Sequence, residues 1–219
     1  MIELRGVECR WPRFALQDIT FRVQEGESVG LFGPNGAGKT LLLETIAGIW
    51  IPRRGTILVG GTDVTRRPPE ARPLGVIYQE LYLFPHLSVE ENISYGLRAS
   101  GCSSRARRRR LEELAQVLGL GDLLRRRNIT LLSGGEKQKV ALARALATGP
   151  KIVLLDEPAH FLDPDSVRML HDTLRQLRES GRLTMLHVSH NYDELQALTG
   201  RILVMRQGRI VRVDSSGRR

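Results

Sequence analysis

The chain has 219 residues, of which 41% are hydrophobic and 26% charged, so its composition is that of a globular protein and excludes long disorder. Aromatic residues make up only 5%, which argues against an aromatic stacking surface for single-stranded nucleic acid. The formal net charge of +9 is typical of proteins that bind nucleic acid or anionic membranes. Cys9 and Cys102 lie far apart and predict neither a disulfide framework nor a zinc site.

The positive charge is concentrated in one segment. Residues 98–127 contain nine arginines and three acidic residues, so they carry +6 of the net +9. A basic amphipathic helix is predicted here, from about Arg105 to Leu118. Its predicted apolar face consists of Leu111, Leu114, Val117 and Leu118. Basic helices usually present a solvated face or lie near anionic lipid, so the charge alone does not indicate nucleic acid.

The N-terminal half alternates short apolar stretches with turn-forming residues. Strands are predicted near residues 2–7, 16–23, 28–32, 56–59 and 74–78. A glycine-rich loop follows the third strand, and a helix is predicted after it from apolar spacing. The residues with that spacing are Leu41, Leu42, Thr45, Ile46 and Ile49. The chain start has no apolar signal-peptide core, and no apolar run approaches ~18 residues, so we expect no membrane crossing by the chain itself.

Helices and strands alternate in the C-terminal half, which predicts an α/β core. Helical structure is predicted over residues 88–127, with Ser88 as N-cap, and over 133–147, 164–181 and 192–198. Strands are predicted over 152–155 and 184–188, and a hairpin over 202–205 and 209–213. The stretch 152–155 is wholly apolar, which indicates a strand buried on both faces of a parallel sheet. Residues 215–219 are predicted to be a frayed tail.

The glycine-rich loop has the spacing GxxxxGK[ST] between a predicted strand and a predicted helix. Its residues are Gly33, Pro34, Asn35, Gly36, Ala37, Gly38, Lys39 and Thr40. Such a loop turns backbone N–H groups toward polyphosphate oxygens, and the next helix adds its positive N-terminal end. Lys39 would contact the β- and γ-phosphates, Thr40 would bind Mg²⁺, and Leu41 would border the nucleotide. The alternative is a glycine-rich turn with an incidental lysine.

A pair of acidic residues follows the predicted buried strand. Asp156 and Glu157 come directly after the apolar run 152–155, and ligands of open α/β sheets bind at the carboxyl ends of such strands. Asp156 is suited to holding Mg²⁺, and Glu157 is suited to polarising an attacking water as a general base. The alternative for this pair is a solvated acidic turn.

A third motif identifies a family. Ser133-Gly134-Gly135-Glu136 resembles the signature motif of ATP-binding-cassette (ABC) ATPases, and it lies between the helical segment and the acidic pair, as in that family. The resemblance extends over residues 2–213. It implies an α/β P-loop NTPase (RecA-like) core, with an N-terminal antiparallel β-subdomain and an inserted α-helical subdomain at about 86–135. The whole of 1–219 would form one ATPase domain without a C-terminal regulatory domain.

The resemblance also implies a set of site residues and two ligands, ATP and Mg²⁺. Gln79 matches the glutamine that senses Mg²⁺ and the membrane partner, His190 matches the switch histidine, and Asp163 matches the D-loop aspartate. His187 is expected to be a packed strand residue. Trp11 is expected to stack on adenine, with Phe14 as one alternative and a core role for both residues as another.

The resemblance assigns catalytic and metal-binding roles to these residues. The catalytic set is Glu157, His190 and Gln79. The metal set is Thr40, Gln79 and Asp156. The signature residues, Ser133, Gly134, Gly135 and Glu136, would meet the γ-phosphate bound by a second copy of the chain, so hydrolysis would need a dimer.

The sequence departs from the family pattern at four positions. His160 stands where a small serine is usual and is followed by Phe161, which affects the D-loop. Glu136 replaces the commoner glutamine, and Asn191 replaces the usual aspartate after the switch histidine. The change at His160 and Phe161 bears on communication between subunits more than on nucleotide binding, and Glu136 is a mild variant that leaves the serine and the glycines intact.

The segment over 83–98 looks like the ATPases of solute importers, and most like the molybdate/tungstate type. That resemblance implies a peripheral subunit on the cytoplasmic face of the membrane, with permease subunits contacted through residues 79–98. An extracytoplasmic solute-binding protein would be an indirect partner. The alternative is a soluble ATPase acting on nucleic acid, which the net charge favours but the lack of long coiled coils and of a duplicated cassette opposes.

Overall fold

The architecture was obtained as a computed structural model, which describes residues 1–179, 181 and 183–215. The predicted elements are present with adjusted bounds. The strands are β1 Ile2–Trp11, β2 Phe14–Val23, β3 Ser28–Phe32, β4 Arg54–Val59, β5 Thr62–Asp63, β6 Gly75–Ile77, β7 Ile152–Asp156, β8 Thr184–Ser189, β9 Arg201–Arg206 and β10 Arg209–Ser215. The helices are α1 Lys39–Ala47, α2 Val89–Ala99, α3 Ser104–Leu118, α4 Gly134–Ala147, α5 Pro164–Glu179 and α6 Tyr192–Leu198. Short 3-10 turns connect several of them.

Two sheets make up the first of two compact units, which comprises residues 1–76, 151–157 and the described part of 175–219. One sheet has the order β2-β1-β4-β5 and its paired strands are antiparallel. The other has the order β10-β9-β3-β8-β7-β6. In it β3 pairs in parallel with both β8 and β9, β7 pairs in parallel with β8, and β9 and β10 form the predicted antiparallel hairpin.

The parallel strands of this sheet are apolar because both of their faces are covered. Every residue of β7 is buried, as the apolar run at 152–155 predicts. Every residue of β8 is buried as well, including the polar Thr184, His187 and Ser189. β3, β7 and β8 run in the same direction, so the segments that follow them leave the same edge of the sheet. These segments are the glycine-rich loop, the turn at Glu157 and the turn at His190.

The second unit comprises residues 77–150 and 158–174 and is mainly helical. Ser88 and Ser133 are N-caps with complete capping boxes, in which the side chains of Glu91 and Glu136 return to the cap backbone. Asn92 is buried, and its side-chain amide donates to the carbonyls of Phe84, Leu87 and Ser88, so it ties the preceding loop to α2. The bounds predicted for a helical insertion stay a prediction.

Four details differ from the sequence predictions. Segment 88–127 is interrupted at residues 100–103, and α3 ends at Gly119, which has φ 58°. Val117 is 55% exposed, so the apolar face of α3 consists of leucines. Ile49 lies beyond the end of α1 and is half-exposed. Ser215 ends β10 and is not frayed, whereas the rest of the predicted tail, 216–219, lies outside the described residues.

A membrane-spanning helix requires length and apolarity together. Within the described part of the chain, none of the helices combines the two sufficiently to cross a bilayer.

Candidate functional site

The glycine-rich loop, residues 33–40 and hereafter the phosphate loop, connects β3 to α1. Gly38 has φ 100°, and a Cβ there would lie 2.6 Å from the Phe14 ring. A Cβ at Gly33 would lie 2.4 Å from the carbonyl oxygen of Met205. Gly38 therefore requires glycine for its backbone angle, and Gly33 requires it for the close approach of a backbone carbonyl.

Lys39 is folded over this loop. Its Nζ donates to the carbonyl oxygens of Gly33, at 2.8 Å, and of Pro34, at 3.3 Å, and the residue is 6% exposed. The same Nζ lies 3.8 Å from Glu157 Oε1. The loop and its lysine thus form a small positively charged concavity at the carboxyl end of β3, which suits a polyphosphate.

Glu157 lies between Lys39 and His190. Its Oε2 is 2.6 Å from His190 Nδ1, and its backbone N–H donates to the carbonyl of Val188 at 2.9 Å. Its φ is 47°, a left-handed angle that is uncommon for a residue with a side chain. Such angles persist where the surrounding structure enforces them and are frequent at functional sites. Sequence reasoning selected all three residues, and the structure places their polar groups together.

Asp156 is buried at the end of β7. It is 1% exposed, and burial is the main cause that raises its pKa to about 6, against the opposing effect of a hydrogen bond with the Thr40 side chain. Within the described residues, its Oδ1 has no hydrogen-bond partner. A carboxylate oxygen without a partner beside a hydroxyl is a donor set that fits Mg²⁺. The residues present are therefore compatible with the predicted metal ion.

The adenine-stacking residue stays a prediction with two candidates. The Trp11 ring packs edge-on against Trp50, with centroids 5.6 Å apart, and is tilted against Phe14 at 6.4 Å. The Phe14 ring lies directly against Gly38 of the phosphate loop. Phe14 is therefore in contact with the phosphate loop, whereas Trp11 packs against Phe14.

Sequence reasoning missed the residues of the β9–β10 turn that approach the phosphate loop. A cavity of about 350 Å³ is lined by four loop residues, 34–37, together with Arg206 and Gln207. The N–H of Gly208 donates to the carbonyl of Ala37 at 3.0 Å. The sequence predicts this hairpin, but its approach to a loop 170 positions earlier has no local signal.

The signature turn, residues 133–136, begins α4 in the second unit. The Ser133 side chain accepts from the N–H of Glu136, and the Ser133 N–H donates to Glu136 Oε2 at 2.8 Å. A Cβ at Gly135 would lie 2.4 Å from Ser166 Oγ on α5, so packing alone requires glycine there. Gly134 is exposed, and a Cβ there would meet only ordinary contacts. Packing therefore does not explain why residue 134 is a glycine.

The remaining predicted residues belong to the same unit. Asp163 caps α5, since its carboxylate accepts from the backbone and the hydroxyl of Ser166. Gln79 follows β6 and is half-buried. His160 is exposed with its ring 4.5 Å from that of Phe161, which is 71% exposed. In the first unit, His187 is buried in β8 and lies 3.6 Å from Glu194, as expected of a packed histidine.

The fold has close structural counterparts. The chain superposes on the dimeric structure of MJ0796, a bacterial ABC transporter cassette, with a TM-score of 0.87 over 99% of both chains and 27% identity. A post-hydrolysis state of the same cassette, bound to ADP and Pi, gives a TM-score of 0.86. The prediction of an α/β P-loop NTPase fold with an antiparallel sheet is confirmed.

Sequence relatives agree with the structural match. The chain is 43% identical over 213 residues to the molybdate/tungstate import ATP-binding protein WtpC of Thermococcus kodakarensis, covering 97% of this chain and 64% of the relative. It is 41% identical over 211 residues to the Fe(3+) ions import ATP-binding protein FbpC 2 of Rhizobium meliloti, covering 96% and 53%. The chain thus spans less than two thirds of the length of these relatives. Residues 16–160 match the sequence profile of the family described as ABC transporter, and the chain belongs to that family.

Proposed function

We propose that the chain is the ATP-binding and ATP-hydrolysing subunit of an importer-type ABC transporter and that it works as a dimer. The observation that carries this proposal is the position of Glu157, held between Lys39 of the phosphate loop and His190. The left-handed backbone of Glu157 keeps its carboxylate at the loop. A general base must lie within reach of the proton that it accepts, and this carboxylate adjoins the region where a γ-phosphate would be bound.

Each residue of the site has a separate role in the proposed reaction. Glu157 accepts the proton of the water that attacks the γ-phosphate, and His190 orients the carboxylate through their 2.6 Å contact. Lys39 donates to phosphate oxygens, which are stronger charged acceptors than the two carbonyls that it contacts in this structure. Thr40 and Asp156 are the residues that would hold Mg²⁺, with Gln79 as a further candidate. When bound, the ion neutralises charge on the phosphates.

The proposed dimer is supported by the similar cassette MJ0796, whose solved structure is described as dimeric. We propose that Ser133, Gly134, Gly135 and Glu136 contact the γ-phosphate held by a second copy of the chain. The exposure of Gly134 supports this, since a glycine without a packing role leaves backbone open to an approaching anion. Asp163 would face the same interface.

The proposed partners and solute are inferred from the names of the sequence relatives. We propose that permease subunits bind the dimer at the cytoplasmic face of a membrane, through residues 79–98, and that a solute-binding protein acts through those permeases. Three WtpC relatives are 41–43% identical to the chain, so a molybdate- or tungstate-type oxyanion is the proposed solute. Relatives named as Fe(3+) importers are 37–41% identical, so ferric ion is the comparison that a transport assay must include.

Hydrolysis by the purified chain tests the proposed function. With Mg²⁺-ATP, Glu157→Gln should lower the rate by about 10²- to 10⁴-fold, the range that a general base supplies, while ATP still binds. Glu112→Gln is the matched control and should keep the wild-type rate, because Glu112 is an exposed residue of α3 that pairs with Arg108 at 3.3 Å. Normal turnover by Glu157→Gln would exclude the general-base role.

A further inference from the structure

The backbone that carries His190 is tied to the helix that follows it. Residues 189–191, hereafter the His190 turn, lie where β8 ends and α6 begins. The Ser189 hydroxyl donates to Glu194 Oε2 at 2.6 Å, and its oxygen accepts the backbone N–H of Asn191 at 3.0 Å. The side-chain oxygen of Asn191, which replaces the usual aspartate, accepts the backbone N–H of Glu194 at 3.1 Å. The three hydrogen bonds form a closed ring that contains the residues on both sides of His190.

The ring is anchored in the buried part of the first unit. Ser189 is 1% exposed, and the side chain of Glu194 is 8% exposed. Glu194 Oε1 lies 3.6 Å from Nε2 of His187, which is buried in β8. One carboxylate of α6 therefore adjoins two side chains of β8. Hydrogen bonds to a charged acceptor are among the stronger ones in proteins, so Glu194 holds the end of β8 firmly against α6.

The imidazole of His190 does not share this burial. Its side chain is 51% exposed, and its Nδ1 lies 2.6 Å from Glu157 Oε2. Glu157 is fixed from its own side, because its backbone N–H donates to the carbonyl of Val188. The geometry of the contact between the two side chains therefore depends on the backbone of the His190 turn, which the ring of hydrogen bonds fixes.

We propose that Glu194 is a positioning residue for ATP hydrolysis. Through Ser189 and Asn191 it fixes the His190 turn, and the imidazole then holds the Glu157 carboxylate in place for the attacking water. This role rests on the proposed function, in which His190 orients Glu157. The contacts that carry it lie in β8 and α6, whereas the phosphate loop connects β3 to α1. Loss of Glu194 should therefore lower kcat and leave the affinity for ATP unchanged.

Hydrolysis and nucleotide binding by the full chain test this role. Glu194→Ala should lower kcat by about ten- to hundredfold, the scale for a catalytic group misplaced by up to about 1 Å, and should change ATP affinity by less than about twofold. Glu194→Gln keeps an oxygen that accepts from Ser189 and should retain most of the rate. Asp193→Ala is the matched control, because Asp193 is an exposed acidic residue of the same helical turn, and it should keep the wild-type rate. An unchanged kcat in Glu194→Ala, or an equal loss of kcat and affinity, would overturn the proposal.

A double variant separates positioning from a general loss of stability. If Glu194 acts through His190, then Glu194→Ala has no imidazole to misplace in a His190→Ala chain, and the double variant should be no slower than His190→Ala alone. Losses that multiply in the double variant would mean that Glu194 acts elsewhere and would overturn the proposal. Ser189→Ala removes the same hydrogen bond from its other end and should reproduce the loss of kcat, so the role can be tested even if Glu194→Ala does not fold.

Histidine NMR tests the geometry without ATP hydrolysis. The chain has five histidines, so ¹⁵N labelling of the imidazoles gives few signals, and His190→Ala identifies the signal of His190. Glu194→Ala should shift the His190 Nδ1 signal, because the contact with Glu157 is disturbed, whereas Asp193→Ala should leave it in place. A His190 signal that Glu194→Ala does not move would overturn the proposal. A wild type that binds ATP without hydrolysing it would instead contradict the proposed function, and the histidine spectra would still decide whether Glu194 holds the His190 turn.

Discussion

At the scale of single residues, the burial of Asp156 has a measurable effect on stability. Its pKa is about 6 in the folded chain, against 3.8 as the usual value. The folded chain therefore binds a proton more tightly than the unfolded chain. Without Mg²⁺, the free energy of unfolding should rise as the pH falls from about 7 toward 4, as far as this group is concerned.

Asp156→Asn tests this effect, because it removes the buried charge and keeps the shape. At pH 7.5 without Mg²⁺ the variant should unfold with a free energy higher by about 1 to 3 kcal/mol. At pH 5 the difference should shrink, since the wild-type carboxyl is then protonated. Denaturant titration at both pH values is the measurement. A wild type that is equally or more stable than Asp156→Asn at pH 7.5 would show that the carboxylate is stabilised in some other way.

Lys39→Ala tests the phosphate contact at the same scale. The variant lacks the charge that is proposed to face the phosphates, so ATP affinity should fall by about tenfold or more, as expected for a charge-assisted hydrogen bond. Lys151→Ala is the matched control, because Lys151 is exposed and lies 4.0 Å from Glu25. Fluorescent-nucleotide titration of both variants gives the comparison. Equal affinities would remove Lys39 from the phosphate site.

Residues within a short motif were predictable, and their environments were not. The spacing of glycines before Lys39, and the acidic pair after an apolar run, are local patterns with a direct chemical reading. The environments of the acidic pair come from residues that are distant in sequence. The backbone N–H of Glu157 donates to Val188 of β8, and the carboxylate of Asp156 lies beside Thr40 of the phosphate loop. Only the assembled sheet supplies these contacts.

At the scale of secondary-structure elements, Arg110 of α3 makes hydrogen bonds to another helix. Arg110 Nε and Nη2 donate to the carbonyls of Ala147, at 3.1 Å, and Leu146, at 2.8 Å, at the C-terminal end of α4. Arg109 is 83% exposed along its side chain and pairs with Glu113 at 3.3 Å. The run of arginines is thus not a uniform solvated face, because Arg110 donates to the last carbonyls of α4, which have no partner within their own helix.

Arg110→Ala should therefore lower the free energy of unfolding by about 1 to 3 kcal/mol, the range for hydrogen bonds made by a charged group. Arg109→Ala, the matched control, should change it by less than about 0.5 kcal/mol. Denaturant unfolding followed by circular dichroism compares the two. Equal effects of the two variants would show that the α4 contacts contribute nothing to stability.

Elements with strong periodicity and caps were predicted well. α3 and α4 begin and end within about one residue of expectation, since Ser103 and Ser133 accept backbone hydrogen bonds as N-caps. The exposure of Val117 was not predicted, because periodicity defines a stripe without saying which edge of it meets a neighbouring helix. The contact from Arg110 to α4 spans 37 positions and leaves no local signal.

At the scale of the whole molecule, the direction of the strands explains why the residues of the site lie close together. β3, β7 and β8 are parallel, so the phosphate loop, Glu157 and His190 meet at one edge of the sheet. The alternation of elements predicts such an α/β core but not the strand order, and nothing local predicts the turn at Gln207 beside the loop. The net charge was the least informative feature of the sequence, since the proposed site uses only one of the chain's four lysines.

The proposed dimer makes a prediction that a monomeric site does not. Lys39→Ala impairs the phosphate loop. Gly134→Asp impairs the signature turn with a charge that repels phosphate, while an acidic residue in the first turn of α4 is compatible with the helix and a side chain fits there. Each variant alone should be nearly inactive. In a mixed dimer, one site would combine an intact loop from one chain with an intact signature turn from the other.

Mixing the two purified variants in equal amounts should therefore restore ATP hydrolysis. Random pairing makes about half of the dimers mixed, each with one intact site, so the rate should reach roughly a quarter of that of the wild type. Gly134→Ala, which adds no charge, is the control and should keep far more activity by itself than Gly134→Asp. A mixture no more active than its components would mean that each chain hydrolyses ATP with its own residues alone, and the signature turn would then lose its assigned role.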